Sequence, residues 1–92
     1  MLHHIIVKWN EDVDKNTIAE EVRAMYARAT QIEGIIGVEI KENIIPRDNR
    51  YDLMIVLEMD QDSLSNWDDS ELHKQWKSQF SQAIEKKCIF DC

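Results

Sequence analysis

The sequence lacks any long apolar run. Its uninterrupted apolar stretches span only a few residues, whereas a membrane-spanning helix needs about 20. The opening residues, MLHHIIVKWNED, contain neither a cationic leader nor an extended apolar segment, and this argues against a secretory signal peptide. We therefore expect a protein with no membrane partner.

Cysteine is scarce, and the two cysteines are poorly spaced for pairing. Cys88 and Cys92 are four residues apart in a predicted strand, which separates them by roughly 13 Å at about 3.3 Å per residue. A disulfide needs Cα atoms within about 7 Å, so no bridge between them is expected. No C-x₂-C motif is present, and we predict no metal site. Free thiols indicate a cytoplasmic protein.

Basic residues are outnumbered, with 11 lysines and arginines against 18 acidic residues and a net charge of −7. A negative net charge repels polyanions, so a nucleic-acid partner is not expected. Phosphate-binding loops and dinucleotide fingerprints are also missing, and we predict no cofactor. A chain of 92 residues is large enough for one core, so residues 1–92 are predicted to form a single domain.

The order strand–helix–strand occurs twice along the chain. The leading strands are predicted at Leu2–Trp9 and Tyr51–Met59, and the closing strands at Ile35–Ile40 and Cys88–Asp91. Right-handed crossovers and a hairpin between the second and third strands predict the order 4-1-3-2, antiparallel throughout. The predicted fold class is therefore α+β, with a βαββαβ order, a four-stranded sheet and both helices on one face.

Two amphipathic patterns predict the helices. The first helix is expected to start at Thr17, where T-I-A-E resembles a capping box, and to stop at Gly34. The second helical region should begin near Asp62 and restart at Ser70, a favourable N-cap. The two apolar stripes are Ile18, Val22, Met25, Tyr26, Ala29 and Ile32, and then Leu72, Trp76, Phe80, Ala83 and Ile84. His73 falls within the second stripe and is predicted to point at the sheet.

The central strands are apolar on both faces. In the first strand Ile5 and Ile6 point to opposite sides, and in the third strand Ile55 and Val56 do the same. Strands of this kind are buried on both faces, yet the two helices cover only one. We therefore predict a homodimer in which a second copy covers the open face of the sheet.

Three polar residues are predicted to meet at one end of the sheet: His4 of the first strand, His73 at the start of the second helix and Asp91 of the last strand. A carboxylate orients an imidazole, so the three are candidates for acid–base catalysis. The simpler alternative is structural, with the histidines as satisfied core residues and Asp91 as a solvated strand end. A His/His/Asp metal triad is a further alternative, but no tight local spacing supports it.

Apolar and aromatic side chains are predicted to surround these groups and to form a ligand pocket. The candidate pocket residues are Ile6, Tyr26, Trp67, Trp76, Phe80 and Ile89. Core packing is the alternative role for Tyr26, Trp67 and Trp76.

Three segments resemble the stress-responsive A/B barrel (Dabb) family: M-L-H-H-I-I-V-K-W, N-W-D-D-S-E-L-H-K-Q-W and C-I-F-D-C. Their order and spacing cover nearly the whole chain. The resemblance implies a ferredoxin-like unit that dimerises through its sheets into a dimeric α+β barrel.

The resemblance extends to the olivetolic acid cyclase type of this family, which closes a linear polyketide without a cofactor. It implies that His4 matches the first-strand histidine of that enzyme, His73 the catalytic histidine and Asp91 the aspartate of the final I-F-D segment. Two positions depart from the pattern, because Trp67 replaces an assisting tyrosine and Ser70 replaces a histidine. The missing phenol argues against the cyclase reaction itself.

Three functions remain as hypotheses. The favoured one is a dimeric barrel protein that binds a small apolar or aromatic molecule without turnover. The alternative is a cofactor-independent cyclase, isomerase or lyase that uses His73 as its acid–base group. A cofactor-free monooxygenase of the antibiotic-biosynthesis type fits the closing I-F-D segment and the helix-start histidine less well.

Overall fold

A computed structural model describes all 92 residues. Its strands and helices are β1 (Leu2–Trp9), α1 (Lys15–Tyr26), β2 (Ile35–Glu42), β3 (Leu53–Met59), α2 (Leu64–Asp68), α3 (Glu71–Phe80) and β4 (Ile84–Asp91). The sheet order is β2-β3-β1-β4, and every neighbouring pair is antiparallel. The predicted topology and the α+β ferredoxin-like fold class are confirmed.

The first helix begins earlier than predicted. Asp14, not Thr17, is the N-cap, and its carboxylate accepts hydrogen bonds from the backbone N–H groups of Asn16 and Thr17, each at 3.1 Å. An aspartate in this position satisfies two of the N–H groups that a helix start leaves without partners. The helix also ends earlier, at Tyr26, and a short 3₁₀ turn follows before Gly34. The capping-box prediction was therefore wrong.

Gly34 is required by the backbone and by its surroundings. Its φ of 91° lies in the region that residues with a side chain rarely adopt. A Cβ at this position would also collide with the Ser63 side chain, which belongs to the 3₁₀ turn before α2. Gly34 thus lets the start of β2 approach the second helical region.

The second helical region is divided as predicted. Ser70 caps α3, and its Oγ accepts a hydrogen bond from the backbone N–H of His73 at 3.1 Å. Leu72, Trp76 and Phe80 form the buried stripe of α3, while Ala83 and Ile84 lie beyond its end.

The core lies between the helices and one face of the sheet, which we call the helix face. On β1 this face carries His3, Ile5, Val7 and Trp9, all buried. The aromatic side chains of the core are Trp9, Tyr26, Trp67, Trp76 and Phe80. Their rings contact one another in tilted or edge-on pairs, which aromatic rings prefer to face-to-face stacking.

The opposite side of the sheet, the open face, is not covered by any element of the chain. It is formed by Leu2, His4 and Ile6 of β1, Met54 and Val56 of β3, and Cys88 and Phe90 of β4. Phe90 is 59% exposed and Leu2 38%. No helix of the structure is both long and apolar enough to span a membrane.

Candidate acid–base site

A cavity of about 280 Å³ opens between the helix face and the α2–α3 segment, at the β4 edge of the sheet. We call it the acid–base cleft. Its ten lining residues are His3, Ile5, Leu64, Trp67, Asp68, His73, Trp76, Lys87, Ile89 and Asp91. Two histidines, two aspartates, one lysine and several apolar side chains therefore share one cavity.

His3 and Asp91 form a close pair on one wall of the cleft. They face each other in the β1–β4 register, and His3 Nδ1 lies 2.5 Å from Asp91 Oδ1. The His3 side chain is 8% exposed and that of Asp91 40%. An ionised carboxylate only accepts hydrogen bonds, so Nδ1 of His3 carries the proton. Nε2 of a neutral His3 is then free to accept a proton, and Asp91 stabilises the resulting imidazolium.

The assignment of His4 to this site was wrong. His4 lies opposite Phe90 on the open face, where its Nδ1 lies 2.9 Å from the Phe90 carbonyl oxygen. Residues that face each other across two strands point to the same side of a sheet. Because Asp91 pairs with His3, the neighbouring His4 must point away from it. His3 lies on the same face as Ile5, and the β1–β4 register pairs Ile5 with Ile89 and His3 with Asp91.

His73 is oriented by the segment that precedes it. Its Nδ1 lies 3.0 Å from the carbonyl oxygen of Asp68, and a carbonyl can only accept, so Nδ1–H donates and Nε2 of the neutral ring is left as a base. The Trp67 ring packs against it, with centroids 5.0 Å apart. Ser70 strengthens this turn by donating its hydroxyl hydrogen bond to the Trp67 carbonyl at 2.7 Å.

The predicted pocket walls divide into two groups. Trp67, Trp76 and Ile89 line the cleft, and Ile89 is 46% exposed, so the cleft is open to solvent along β4. The other three do not line it. Ile6 lies on the open face because it alternates with Ile5, whereas Tyr26 and Phe80 are buried behind the wall as part of the core.

Tyr26 has a hydroxyl group without any hydrogen-bond partner. Its ring packs on Trp67 and Trp76, at centroid distances of 5.7 and 5.5 Å. Burial raises the pKa of the Tyr26 hydroxyl far above its ordinary value, because the phenolate would lose its hydration. Tyr26 is therefore a neutral core residue that supports the cleft wall from behind.

The metal alternative has no geometric support. No group of three His, Cys, Asp or Glu side chains is placed to hold a metal ion. The His3–Asp91 pair and the Asp68-oriented His73 instead form an arrangement suited to proton transfer.

The chain has a ferredoxin-like α+β fold in which two imidazoles line one cavity. Solved structures share this fold. A dimeric ferredoxin-like protein of unknown function from Bacteroides fragilis superimposes with a TM-score of 0.82 at 17% identity, over 99% of this chain and 92% of that one.

Two further structures connect the fold to the predicted resemblance and to an enzyme. A Dabb family protein from Mesorhizobium loti has a TM-score of 0.76 at 15% identity, covering 99% of this chain and 92% of that one. A hydroxynitrile lyase from Passiflora edulis has a TM-score of 0.77 at 14% identity, covering 97% and 87%. No protein-family model and no curated protein matches the chain. The resemblance to the Dabb family is confirmed at the level of the fold.

Proposed function

We propose that the acid–base cleft binds a small, partly aromatic molecule and transfers protons to and from it without a cofactor. The observation that carries this proposal is the pairing of His3 with Asp91 at 2.5 Å in the same cavity as His73. A ligand that fills about 280 Å³ is in contact with both imidazoles. His73 Nε2 takes a proton, and the His3–Asp91 pair supplies or receives the second.

The reaction class that fits is cyclisation, isomerisation or lysis by proton transfer at a carbon or an oxygen of the substrate. Ile5, Trp67 and Trp76 make an apolar floor, and a ligand that displaces water from it strengthens the electrostatic effect of each imidazole. The similarity in fold to a hydroxynitrile lyase supports lyase chemistry as one member of this class.

A second candidate is binding without turnover. Trp67 lies against His73 and has no group that exchanges protons at neutral pH. In that case the aromatic wall and the two imidazoles would serve only to hold the ligand.

We also propose that the protein is a homodimer that buries the open face. The exposed apolar side chains of that face, Leu2 and Phe90 among them, need a cover, and a similar structure is described as dimeric. In this arrangement residues 1–92 act as one domain per protomer. Both cysteines are free thiols, which supports a cytoplasmic location.

A general probe of base catalysis tests the cleft without knowledge of the substrate. 5-Nitrobenzisoxazole is a planar aromatic compound that opens to a coloured phenolate when a base removes one proton. We expect His73→Ala and His3→Ala to lower its turnover by about 10²–10⁴-fold, the usual contribution of a positioned acid or base. His4→Ala is the matched control, since His4 is on the open face, and its rate should be unchanged.

Two results would contradict the proposal. The first is a rate that survives both the His3 and the His73 substitutions. The second is an equal loss in the His4 variant at unchanged dimer content, which would place the chemistry on the other side of the sheet.

A further inference from the structure

Lys87 is the one lysine or arginine that lines the acid–base cleft. It forms no salt bridge, whereas Lys8 and Lys15 are each paired with a carboxylate. The chain has seven more acidic than basic residues, so carboxylates are abundant as partners. A free ammonium group at the wall of a cavity is therefore available to a ligand.

The cleft has different chemistry at its two ends. On the helix face of β4, Lys87, Ile89 and Asp91 follow one another, opposite Val7, Ile5 and His3 of β1. Same-face neighbours on a strand are about 6.6 Å apart, and Lys87 is therefore roughly 13 Å from Asp91 along the strand. Ile89 and Ile5 lie between them, so an apolar section separates the cation from the imidazoles.

The charged and polar groups at the two ends of the cleft determine how an anionic ligand is oriented. At the histidine end, Asp91 contributes a carboxylate beside His3, and the Asp68 carbonyl oxygen faces His73. An anionic group is repelled from that end and attracted to Lys87 at the other. A substrate with one negative end would therefore place its neutral end at the imidazoles.

Resting on the proposed function, we propose that the cleft selects elongated anionic substrates and that Lys87 is the residue that determines this specificity. The substrate class has an apolar or aromatic middle and one carboxylate or phosphate, about 7–13 Å from the reacting atom, the span of two to four strand residues. Lys87 binds the anion as a point charge, while His73 and His3 act at the far end.

The expected effect is modest because the Lys87 side chain is exposed. Ion pairs in contact with solvent contribute little, which corresponds to about a two- to fivefold preference for the anion over a neutral analogue. Salt screens such a pair strongly. The preference should therefore be measured at low ionic strength and should disappear at high ionic strength.

Two probes that differ only in charge test the inference: 4-(4-nitrophenyl)butyrate and its carboxamide. The nitrophenyl ring quenches tryptophan fluorescence, and Trp67 and Trp76 line the cleft. Titration at about 10 mM ionic strength, where charges act over about 30 Å, should give the acid a two- to fivefold lower Kd than the amide. At about 1 M salt the two Kd values should converge.

Substitutions test whether Lys87 is the side chain that causes the preference for the acid over the amide. Lys87→Gln should make the two Kd values equal, and Lys87→Arg should keep the preference. Lys86→Gln is the matched control, because it removes the same charge from the neighbouring residue, which faces Lys8 on the open face, and it should also keep the preference.

The outcomes separate this inference from the proposed function. Equal binding of both probes to the unsubstituted protein, or an equal loss of preference in the Lys86 variant, would overturn the role of Lys87 and leave the binding cleft intact. Absence of quenching by either probe would overturn both proposals. A clear preference for the acid, together with an elimination rate indifferent to His73, would support Lys87 and reject the acid–base chemistry.

Discussion

The two faces of the sheet give adjacent histidines opposite surroundings. His3 is 6% exposed and is hydrogen-bonded to the Asp91 carboxylate inside a cavity. His4, one residue later, is on the open face and is bonded only to the backbone carbonyl of Phe90. Successive side chains of a strand point to opposite faces. The surroundings of a histidine in β1 therefore depend on whether its position is odd or even, as well as on its residue type.

The sharpest contrast between the faces is expected from two phenylalanines. Phe80 is 1% exposed and packs on Trp9 and Trp76 in the core. Phe80→Ala should lower the free energy of unfolding by about 3–5 kcal/mol, as for other large-to-small core substitutions. The loss would be measured by urea denaturation.

Phe90→Asp is the counterpart on the open face, where the side chain is 59% exposed. We expect it to leave the protomer folded and to convert a species of about twice 10.9 kDa into a monomer in light scattering. A monomeric unsubstituted protein at micromolar concentration would reject the homodimer. A Phe90→Asp variant that remains dimeric would move the interface to another surface.

The two glycines give the next largest contrast. Gly34→Ala should destabilise the protein by at least about 1–2 kcal/mol, the usual cost of a left-handed conformation in a residue with a Cβ, and the Ser63 contact adds to it. Gly37→Ala is the control, because its Cβ would meet Glu58 at 3.6 Å, an ordinary contact. Thermal unfolding of both variants would measure the difference. Equal transition temperatures would contradict both the left-handed backbone cost and the Ser63 collision.

A smaller effect, of opposite sign, is expected for Tyr26. Tyr26→Phe removes a buried hydroxyl that has no partner, and we expect stability to rise by about 1 kcal/mol. Such a gain raises Tm by roughly 4–8 °C in a domain of this size. Tyr51→Phe, where the side chain is 37% exposed, should change nothing. A lower Tm for Tyr26→Phe would mean that the hydroxyl has a partner in solution.

The stability difference between Tyr26→Phe and the unsubstituted protein should depend on pH in alkaline solution. Since burial raises the pKa of Tyr26, the unfolded chain releases this proton at about pH 10 and the folded chain retains it. The free energy of unfolding is therefore independent of this ionisation below pH 10 and falls above it, by about 1.4 kcal/mol per pH unit. The advantage of Tyr26→Phe should grow from pH 10 upwards, and a constant difference across that range would contradict the pKa shift.

Most of the fold was predictable because it follows from local patterns and general connection rules. Alternation in β1 and the stripe through Leu72, Trp76 and Phe80 predicted the layers, and crossover handedness predicted the strand order. The start of α1 was not predictable, since aspartate and threonine are both favourable N-caps. In the structure the Asp14 side chain accepts hydrogen bonds from the backbone N–H groups of Asn16 and Thr17, so Asp14 is the N-cap.

The residue types of the site were predictable, but the face of β1 that contributes the histidine was not. His73 and Asp91 both line the cleft, because a helix start and a strand end meet at that edge. Which histidine joins them depends on the β1–β4 register, and a shift of one residue exchanges the two faces. That register is a property of segments 88 residues apart, which no local pattern in β1 reveals. Lys87 was overlooked because a lysine on an edge strand usually only protects the edge.

The distance between His3 and Asp91 along the chain also has a kinetic consequence. Their contact closes a loop of 88 residues, and β4 is joined to the sheet through β1 alone. Contacts of such long range carry the largest loop-closure entropy and tend to form late in folding. A nascent or partly unfolded chain is therefore expected to lack the His3–Asp91 contact until its last strand has docked.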